Sequence, residues 1–283
     1  MTNSSEAWTL TFLRRARCKT ERNVRVASLA SLLFAAGIVA GPLVATEIPP
    51  AERRSGYAFM APETKAMQDD ATTNPGMLWV LDGENLWKRK QGSADKACAD
   101  CHGDASRSMK GVAARYPAYD KALGRPVNLE QRVNLCRVRH QEADPLPYEK
   151  HDLLALTAFL AEQSHGMPIA PDPAPELEPF VTKGRDFFMH RQGQLNLGCT
   201  NCHDDNWDKH LAGSAVTQAM ANGYPMYRLE WQTLGSLQRR LRNCINGMRT
   251  QNFDFGAPEL VELELYLMSR ARGLPVETPA VRP

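Results

Sequence analysis

The chain contains the stretch CADCH at residues 98–102, and CTNCH follows at residues 199–203. Both have the form Cys-x-x-Cys-His, which is the attachment signature of c-type haem. The spacing suits that chemistry, because two thiols must reach the two vinyl groups of one porphyrin while the next imidazole faces the iron. We therefore predict two covalently bound haem c groups, attached to and ligated by Cys98, Cys101, His102, Cys199, Cys202 and His203.

A glycine and an aromatic residue precede each motif at the same distance. Gly83 and Trp87 lie before the first motif, and Gly184 and Phe188 lie before the second, 101 positions later in each case. Matching elements at a constant offset indicate an internal repeat. We therefore predict two haem domains in tandem, one built around each motif.

The repeat continues beyond the motifs. Tyr116-Pro117 in the first copy matches Tyr224-Pro225 in the second, and a single cysteine follows each tyrosine after twenty residues, Cys136 and Cys244. The offset has grown to 108 at these positions, which predicts a seven-residue insertion at about 207–218 of the second copy. The single cysteine is therefore a shared feature of both copies.

Both copies are predicted to consist of helices. Residues 83–91 form a short amphipathic segment whose glycine lets another helix approach closely. Leucines at near-helical spacing within 153–160, and again within 260–267 after Pro258, supply that partner at the end of each copy. First and last helices that cross beside an attached haem are the arrangement of small cytochromes c. We expect an all-α fold of two tandem cytochrome c-type haem domains joined by a Pro-rich linker.

Domain boundaries follow from the repeat and from the composition. We predict an export signal at 1–45, an N-terminal extension at 46–75, a first cytochrome c-like domain at 76–168, a linker at 169–180 and a second cytochrome c-like domain at 181–283. The linker is too dense in proline to form a helix or an inner strand.

The first 45 residues have the layout of a secretory leader. A basic region ending near Arg25 precedes an apolar run at 26–45 that Gly41-Pro42 breaks. We expect cleavage near Ala45 and a periplasmic protein; the alternative is an uncleaved anchor, because twenty apolar residues can just cross a bilayer. Without the leader the chain holds 28 basic and 30 acidic side chains, so its charge gives no case for nucleic-acid binding.

Disulfides and zinc are the alternative uses of the cysteines. Seven cysteines occur, and Cys18 lies in the leader, so six remain, for which three disulfides are the default in an exported protein. A zinc ribbon has its two Cys-x-x-Cys pairs about 15–20 residues apart, whereas these pairs lie about a hundred residues apart. The spacing favours haem over both.

The repeat also points to the second axial ligand of each iron. Small electron-carrier cytochromes usually offer a methionine, but the residue at matching positions here is a cysteine, Cys136 and Cys244, which we predict to be thiolate ligands. The alternatives are buried structural cysteines or one Cys136–Cys244 disulfide between the domains. Competing ligands are Met109, Met167, Met220, Met226, Met248, His140, His151, His165, His190 and His210.

At both haem motifs, at Cys136 and at RLRNC in residues 240–244, the chain resembles the SoxA family, dihaem cytochromes of thiosulfate oxidation. The resemblance covers about residues 75–276. It implies L-cysteine S-thiosulfotransferase activity, in which thiosulfate is joined oxidatively to a cysteine of a carrier protein, SoxY of the SoxYZ complex, as a cysteine S-thiosulfonate. Two electrons would pass to a small partner cytochrome, SoxX, in a heterodimer, and onward to a downstream cytochrome c acceptor.

The resemblance also implies roles for single residues. The second haem is the active one, Cys244 carries a persulfide and is catalytic, and Arg240 binds the substrate. Arg240 lies one helical turn before Cys244, and thiosulfate is a dianion that needs fixed cations. Arg132 holds the same place before Cys136, so the repeat alone leaves open which haem is catalytic.

Two other functions remain open. The first is a thiosulfate dehydrogenase, which couples two thiosulfates to tetrathionate and needs no carrier protein. The second is a non-enzymatic dihaem electron-transfer protein whose thiolates only adjust the haem potentials.

Overall fold

A computed structural model describes residues 47–283. The predicted export signal, with Cys18 and the expected cleavage site near Ala45, lies outside these residues. Among the residues described, no helix has the length and apolar character needed to cross a membrane. The helices are α1 (Pro62–Asp69), α2 (Met77–Lys88), α3 (Cys98–His102), α4 (Ala105–Ser108), α5 (Leu129–Cys136), α6 (His151–Glu162), α7 (Glu178–Met189), α8 (Cys199–His203), α9 (Leu237–Gly247) and α10 (Pro258–Arg270).

Short strands accompany the helices and form small antiparallel pairs. They are β1 (Ala118–Asp120), β2 (Arg125–Val127), β3 (His210–Leu211), β4 (Ser214–Ala215), β5 (Met226–Arg228), β6 (Thr233–Gly235) and β7 (Ala280–Arg282). β1 pairs with β2, and β5 pairs with β6 at the matching place in the second copy, where β7 adds a parallel third strand. No strand among the described residues exceeds three residues, so the predicted all-α class is confirmed.

Two helix crossings build the core of the two copies. Gly83 on α2 meets α6, where an added Cβ would collide with the backbone oxygen of Ala155. Gly184 on α7 meets α10, where an added Cβ would collide with the backbone oxygen of Glu262. The predicted close approach of first and last helices is confirmed in both domains, because only a residue without a side chain fits at each crossing.

The helices that carry the single cysteines begin with side-chain caps. Asn128 Oδ1 accepts from Gln131 N at 2.9 Å, and Gln131 Oε1 accepts from Asn128 N at 3.3 Å, which is the predicted capped start of α5. Ser236 Oγ accepts from Arg239 N at 3.2 Å at the start of α9. The predicted insertion of the second copy contains the hairpin β3–β4.

The two domains pack against each other through apolar side chains. Tyr227 and Val281 of the second copy lie in the core that α2 and α6 form. Ala114 and Ile169 lie in the core of the second copy. Each haem motif is therefore held by a scaffold to which both copies contribute.

Two candidate haem sites

The first haem motif forms the short helix α3. Its own Asp100 Oδ2 accepts from Ala97 N at 2.8 Å and so caps the helix. Trp87 Nε1 donates to Gly103 O at 3.1 Å, and its ring centroid lies 5.7 Å from that of the His102 imidazole. The repeated aromatic residue therefore packs beside the predicted proximal ligand.

A mostly apolar cavity of about 250 Å³ lies between α3 and α5. The lining side chains that could attach a haem or ligate its iron are Cys98, Cys101, His102, Cys136, Met109 and His140. Two thiols, the adjacent imidazole and a further thiol around an apolar cavity are the donor set that a c-type haem with a thiolate ligand requires. The residues present therefore fit the group, and Met109 and His140 are the competing ligands that reach the same cavity.

The second motif repeats the arrangement in α8. The Phe188 ring lies 6.4 Å from the His203 ring, between centroids. His203 Nδ1 donates to Thr217 O at 2.6 Å. Burial, reinforced by nearby cations, lowers the pKa of His203 to about 4. A neutral imidazole whose Nδ1–H is engaged presents its Nε2 lone pair to an iron.

Each single cysteine lies beside its own motif. Burial raises the pKa of Cys199 to about 12 and also raises that of Cys202, and the Cys244 thiol contributes to both shifts. Burial raises the pKa of Cys98 in the same way, with a contribution from Cys136. The six cysteines within residues 47–283 are all unpaired, so neither three disulfides nor a Cys136–Cys244 bond forms there.

The arginine one turn before each single cysteine is held differently in the two domains. Arg132 Nη2 lies 2.7 Å from Asp120 Oδ2, and its Nε donates to Tyr116 Oη at 3.2 Å. Arg240 forms no ion pair with any residue in the described part of the chain. The reason is visible in the repeat, since the second copy has Arg228 at the position of Asp120. The first arginine is neutralised, and the second is not.

Arg228 brings a second cation to the Cys244 side of the domain. It is 8% exposed, and its Nε lies 3.2 Å from Glu230 Oε1. Burial and then repulsion from Arg240 lower the pKa of Arg228, whereas the Cys244 thiol and other acidic neighbours raise the pKa of Arg240 although burial opposes this. Two guanidinium groups against one carboxylate suit a small divalent anion.

Arg228 is the site residue that the sequence prediction missed. The signal that reveals it is the exchange of Asp120 for Arg228 between the copies. The other arginines of α9 point elsewhere: the Arg239 guanidinium carbon lies 4.2 Å from the Trp231 ring centroid, and that of Arg242 lies 4.4 Å from the Phe255 ring centroid. Of the predicted residues, Arg240 and Cys244 are thus brought together.

Comparison with known proteins gives a consistent set of matches. A family model for the SoxA/TsdA cytochrome c domain matches residues 82–169 and 183–276, each of which contains one haem motif and one single cysteine. The SoxA subunit of L-cysteine S-thiosulfotransferase from Pseudaminobacter salicylatoxidans is 40% identical over 232 residues, which is 82% of this chain and 81% of that protein.

Further relatives agree with this match. The same subunit from Rhodovulum sulfidophilum is 38% identical over 231 residues, 82% of this chain and 80% of that protein. The crystal structure of SoxXA from P. pantotrophus matches with a TM-score of 0.79 at 29% identity, over 82% of this chain and 87% of that chain. The predicted resemblance to SoxA and the predicted tandem cytochrome c domains are both confirmed.

Proposed function

The chain belongs to the SoxA family and is a subunit of an L-cysteine S-thiosulfotransferase, and we propose that the site around Cys244 joins thiosulfate to a cysteine of a carrier protein. Cytochrome c domains carry covalently bound haem c, and we propose two such groups, one on each motif. The axial ligands would be His102 and Cys136 on the first iron, and His203 and Cys244 on the second.

One observation carries the choice of the second site. Arg240 has no ion-pair partner among residues 47–283, and Arg228 stands where the first domain has Asp120. Thiosulfate carries two negative charges, and a half-buried guanidinium beside a second one binds such an anion better than an arginine that already holds a carboxylate. Arg240 would therefore bind the substrate next to the Cys244 sulfur.

The reaction forms one S–S bond and releases two electrons. The carrier thiol RSH and thiosulfate give RS–S–SO₃⁻, one proton and two electrons, so the S–H bond breaks and both sulfur atoms of the new bond are oxidised. Each haem, when bound, would accept one electron. Two electrons therefore need a second acceptor, which we assign to the first haem site or to a partner cytochrome.

Cys244 would have two roles in this chemistry. As an anionic ligand its thiolate would stabilise the ferric state and lower the reduction potential, so that the centre rests oxidised before thiosulfate and the carrier bind. Because its charge acts on Arg240, Cys244 would meet the outer sulfur of a thiosulfate bound there, and we propose that Cys244 carries a persulfide and is the catalytic cysteine.

The partners follow from the same proposal. The SoxXA crystal structure supports a heterodimer with a small SoxX-like c-type cytochrome. The protein substrate would be a SoxYZ-like carrier that presents its cysteine on SoxY, and a downstream cytochrome c would take the electrons. We place this complex in the periplasm, with the export signal cleaved near Ala45.

A pair of matched variants tests the site. With the purified heterodimer, carrier and thiosulfate, Cys244→Ala should abolish both thiosulfate-dependent haem reduction and the mass increase of the carrier. Cys136→Ala, the same change in the first domain, should still yield the carrier adduct. Intact-mass analysis of the mature chain gives the cleavage site, the haem count and any extra sulfur on Cys244 in the same preparation.

Three outcomes would contradict the proposal. Carrier conjugation retained in Cys244→Ala rules out the assigned site. Tetrathionate formed without carrier would identify a thiosulfate dehydrogenase. A carrier that stays unmodified with every cytochrome partner would leave a plain electron-transfer protein.

A further inference from the structure

A buried chain of hydrogen bonds lies behind His203. The Thr217 carbonyl that accepts from His203 Nδ1 at 2.6 Å belongs to the residue before Gln218, which is fully buried. The Gln218 carbonyl in turn accepts from Arg270 Nε at 3.1 Å. Of these two consecutive carbonyls, that of Thr217 is therefore bound by His203, and that of Gln218 is bound by Arg270, the last residue of α10.

Arg270 contacts both the Gln218 carbonyl and the Asp204 carboxylate. Its side chain is 1% exposed, its Nη2 pairs with the Asp204 carboxylate, and its guanidinium carbon lies 5.0 Å from the Phe188 ring centroid. Asp204 directly follows His203 in the chain. One guanidinium therefore ties the residue after the imidazole to the segment that accepts the imidazole's hydrogen bond.

Gln218 connects the same chain to the N-terminal extension. Its Oε1 accepts from Arg54 N at 2.7 Å, and its Nε2 donates to Glu52 O at 3.1 Å. Both atoms of the side-chain amide are engaged, so the segment at 52–54 closes over the outer side of the Thr217–Gln218 pair.

The first domain has no such chain. The position that matches Arg270, counted from Gly166 and Gly273 after the last helices, is Gln163. Gln163 directly follows α6, and its Nε2 donates to Phe159 O of that helix at 2.9 Å. His102 is exposed, and no hydrogen bond to its ring is found within residues 47–283.

We infer that Arg270 and Gln218 are positioning residues that hold the Thr217 carbonyl against His203 Nδ1 and thereby lower the reduction potential of the second haem relative to the first. A firm Nδ1–H···O bond makes the imidazole a stronger donor at Nε2, which favours the oxidised iron. This inference rests on the proposed assignment of His203 as an axial ligand.

Arg270→Lys is the decisive variant, because lysine keeps the charge beside Asp204 but lacks the planar group that reaches Asp204 and the Gln218 carbonyl together. In a spectroscopic redox titration of the heterodimer, the ratio of reduced to oxidised second haem at a fixed potential should rise about threefold, or ~28 mV at 59 mV per decade for one electron. The ferric electron paramagnetic resonance signal of the second haem should also shift, while that of the first should not.

Gln218→Ala provides a second, independent variant if Arg270→Lys fails to fold. It removes no charge and frees residues 52–54, so the second-haem potential should move in the same direction by less, and proteases should cut the N-terminal extension faster. Gln163→Ala is the matched control in the first domain and should move neither potential.

An unchanged second-haem potential and signal in folded, fully loaded Arg270→Lys and Gln218→Ala would overturn the inference, as would equal shifts at both haems. Wild-type spectra separate this failure from failure of the proposed function. If the wild-type protein has two haems with histidine–thiolate signals, the site assignment stands whatever the variants do. If it lacks them, both statements are wrong.

Discussion

The two domains use one scaffold and differ in whether a half-buried arginine has an acidic partner. Each has a glycine at the crossing of its first and last helix, at Gly83 and Gly184, and an aromatic ring beside the histidine of its Cys-x-x-Cys-His motif. In the first domain Arg132 is bound by Asp120. In the second domain the residue at the repeat position of Asp120 is Arg228, so Arg240 faces a second arginine instead of a carboxylate.

A repeated residue therefore takes its role from its partner. An arginine that holds a buried carboxylate stabilises the fold, because removing either charge leaves the other unpaired. An arginine with no carboxylate partner adds little to stability and remains available to a ligand. The exchange of Asp120 for Arg228 thus leaves one arginine in an ion pair and the other available for the anion-binding role that we propose.

The largest effect is expected where this comparison is tested directly. Arg240→Met should lower kcat/KM for thiosulfate about a thousandfold, ~4 kcal/mol, with little change in the free energy of unfolding because Arg240 has no ion pair to lose among residues 47–283. Arg132→Met should instead lower the free energy of unfolding by about 2 kcal/mol, since Asp120 loses its partner, and retain most of the activity. Steady-state kinetics and denaturant titrations of both variants check this. Equal loss of activity in both would remove the distinction between the domains.

The next largest effect is expected at the glycine that both domains place at the crossing of their first and last helices. Gly83→Ala and Gly184→Ala should each lower the free energy of unfolding by about 3 kcal/mol, because the new Cβ meets the backbone of the partner helix. Gly247→Ala is the control, since it lies in α9 with open space around its Cβ and should be neutral or slightly stabilising. Denaturant titrations followed by circular dichroism measure all three. A tolerated alanine at only one crossing would mean that the two scaffolds are not equivalent.

A small cavity between the domains, lined by two glutamates, supplies the third comparison. It measures about 70 Å³, and Glu130 and Glu264 both line it. Burial, with a contribution from Glu149, raises the pKa of Glu130 to about 7. Burial and the neighbouring Glu130 raise the pKa of Glu264 well above its ordinary value. The second copy has the neutral Gln238 at the position of Glu130.

Glu130→Gln makes the first domain like the second. The pKa of Glu130 rises on folding from 4.5 to about 7, so the native state binds more protons than the unfolded state in this window and stability falls as pH rises through it. The variant should therefore be more stable than the wild type by about 3 kcal/mol above pH 7 and no more stable below pH 4.5. Denaturant titrations across this pH range, with the exposed Glu176→Gln as control, measure the difference. A gain that is the same at all pH values would contradict this origin.

Much of the fold could be predicted because its signals are local. The spacing within 98–102 and 199–203 defines the haem attachment turns, and the glycine before each motif indicates the helix crossing that the structure contains. The capped start of α5 and the insertion with β3–β4 were equally readable from short patterns. The short strands were not, since two or three residues are too few to give a period.

The sequence alone determined that two c-type haem domains stand in tandem, each with a single cysteine and an arginine one turn before it, because covalent attachment and helical periodicity depend on neighbours in the chain. Which arginine lacks an ion-pair partner within residues 47–283 depends on the tertiary structure, since Asp120 and Arg228 reach the helix from strands that precede it by several residues. The tertiary structure also decided that residues as distant as Glu52 and Arg270 meet behind His203. Contacts of that kind depend on how the helices pack, and no local pattern records them.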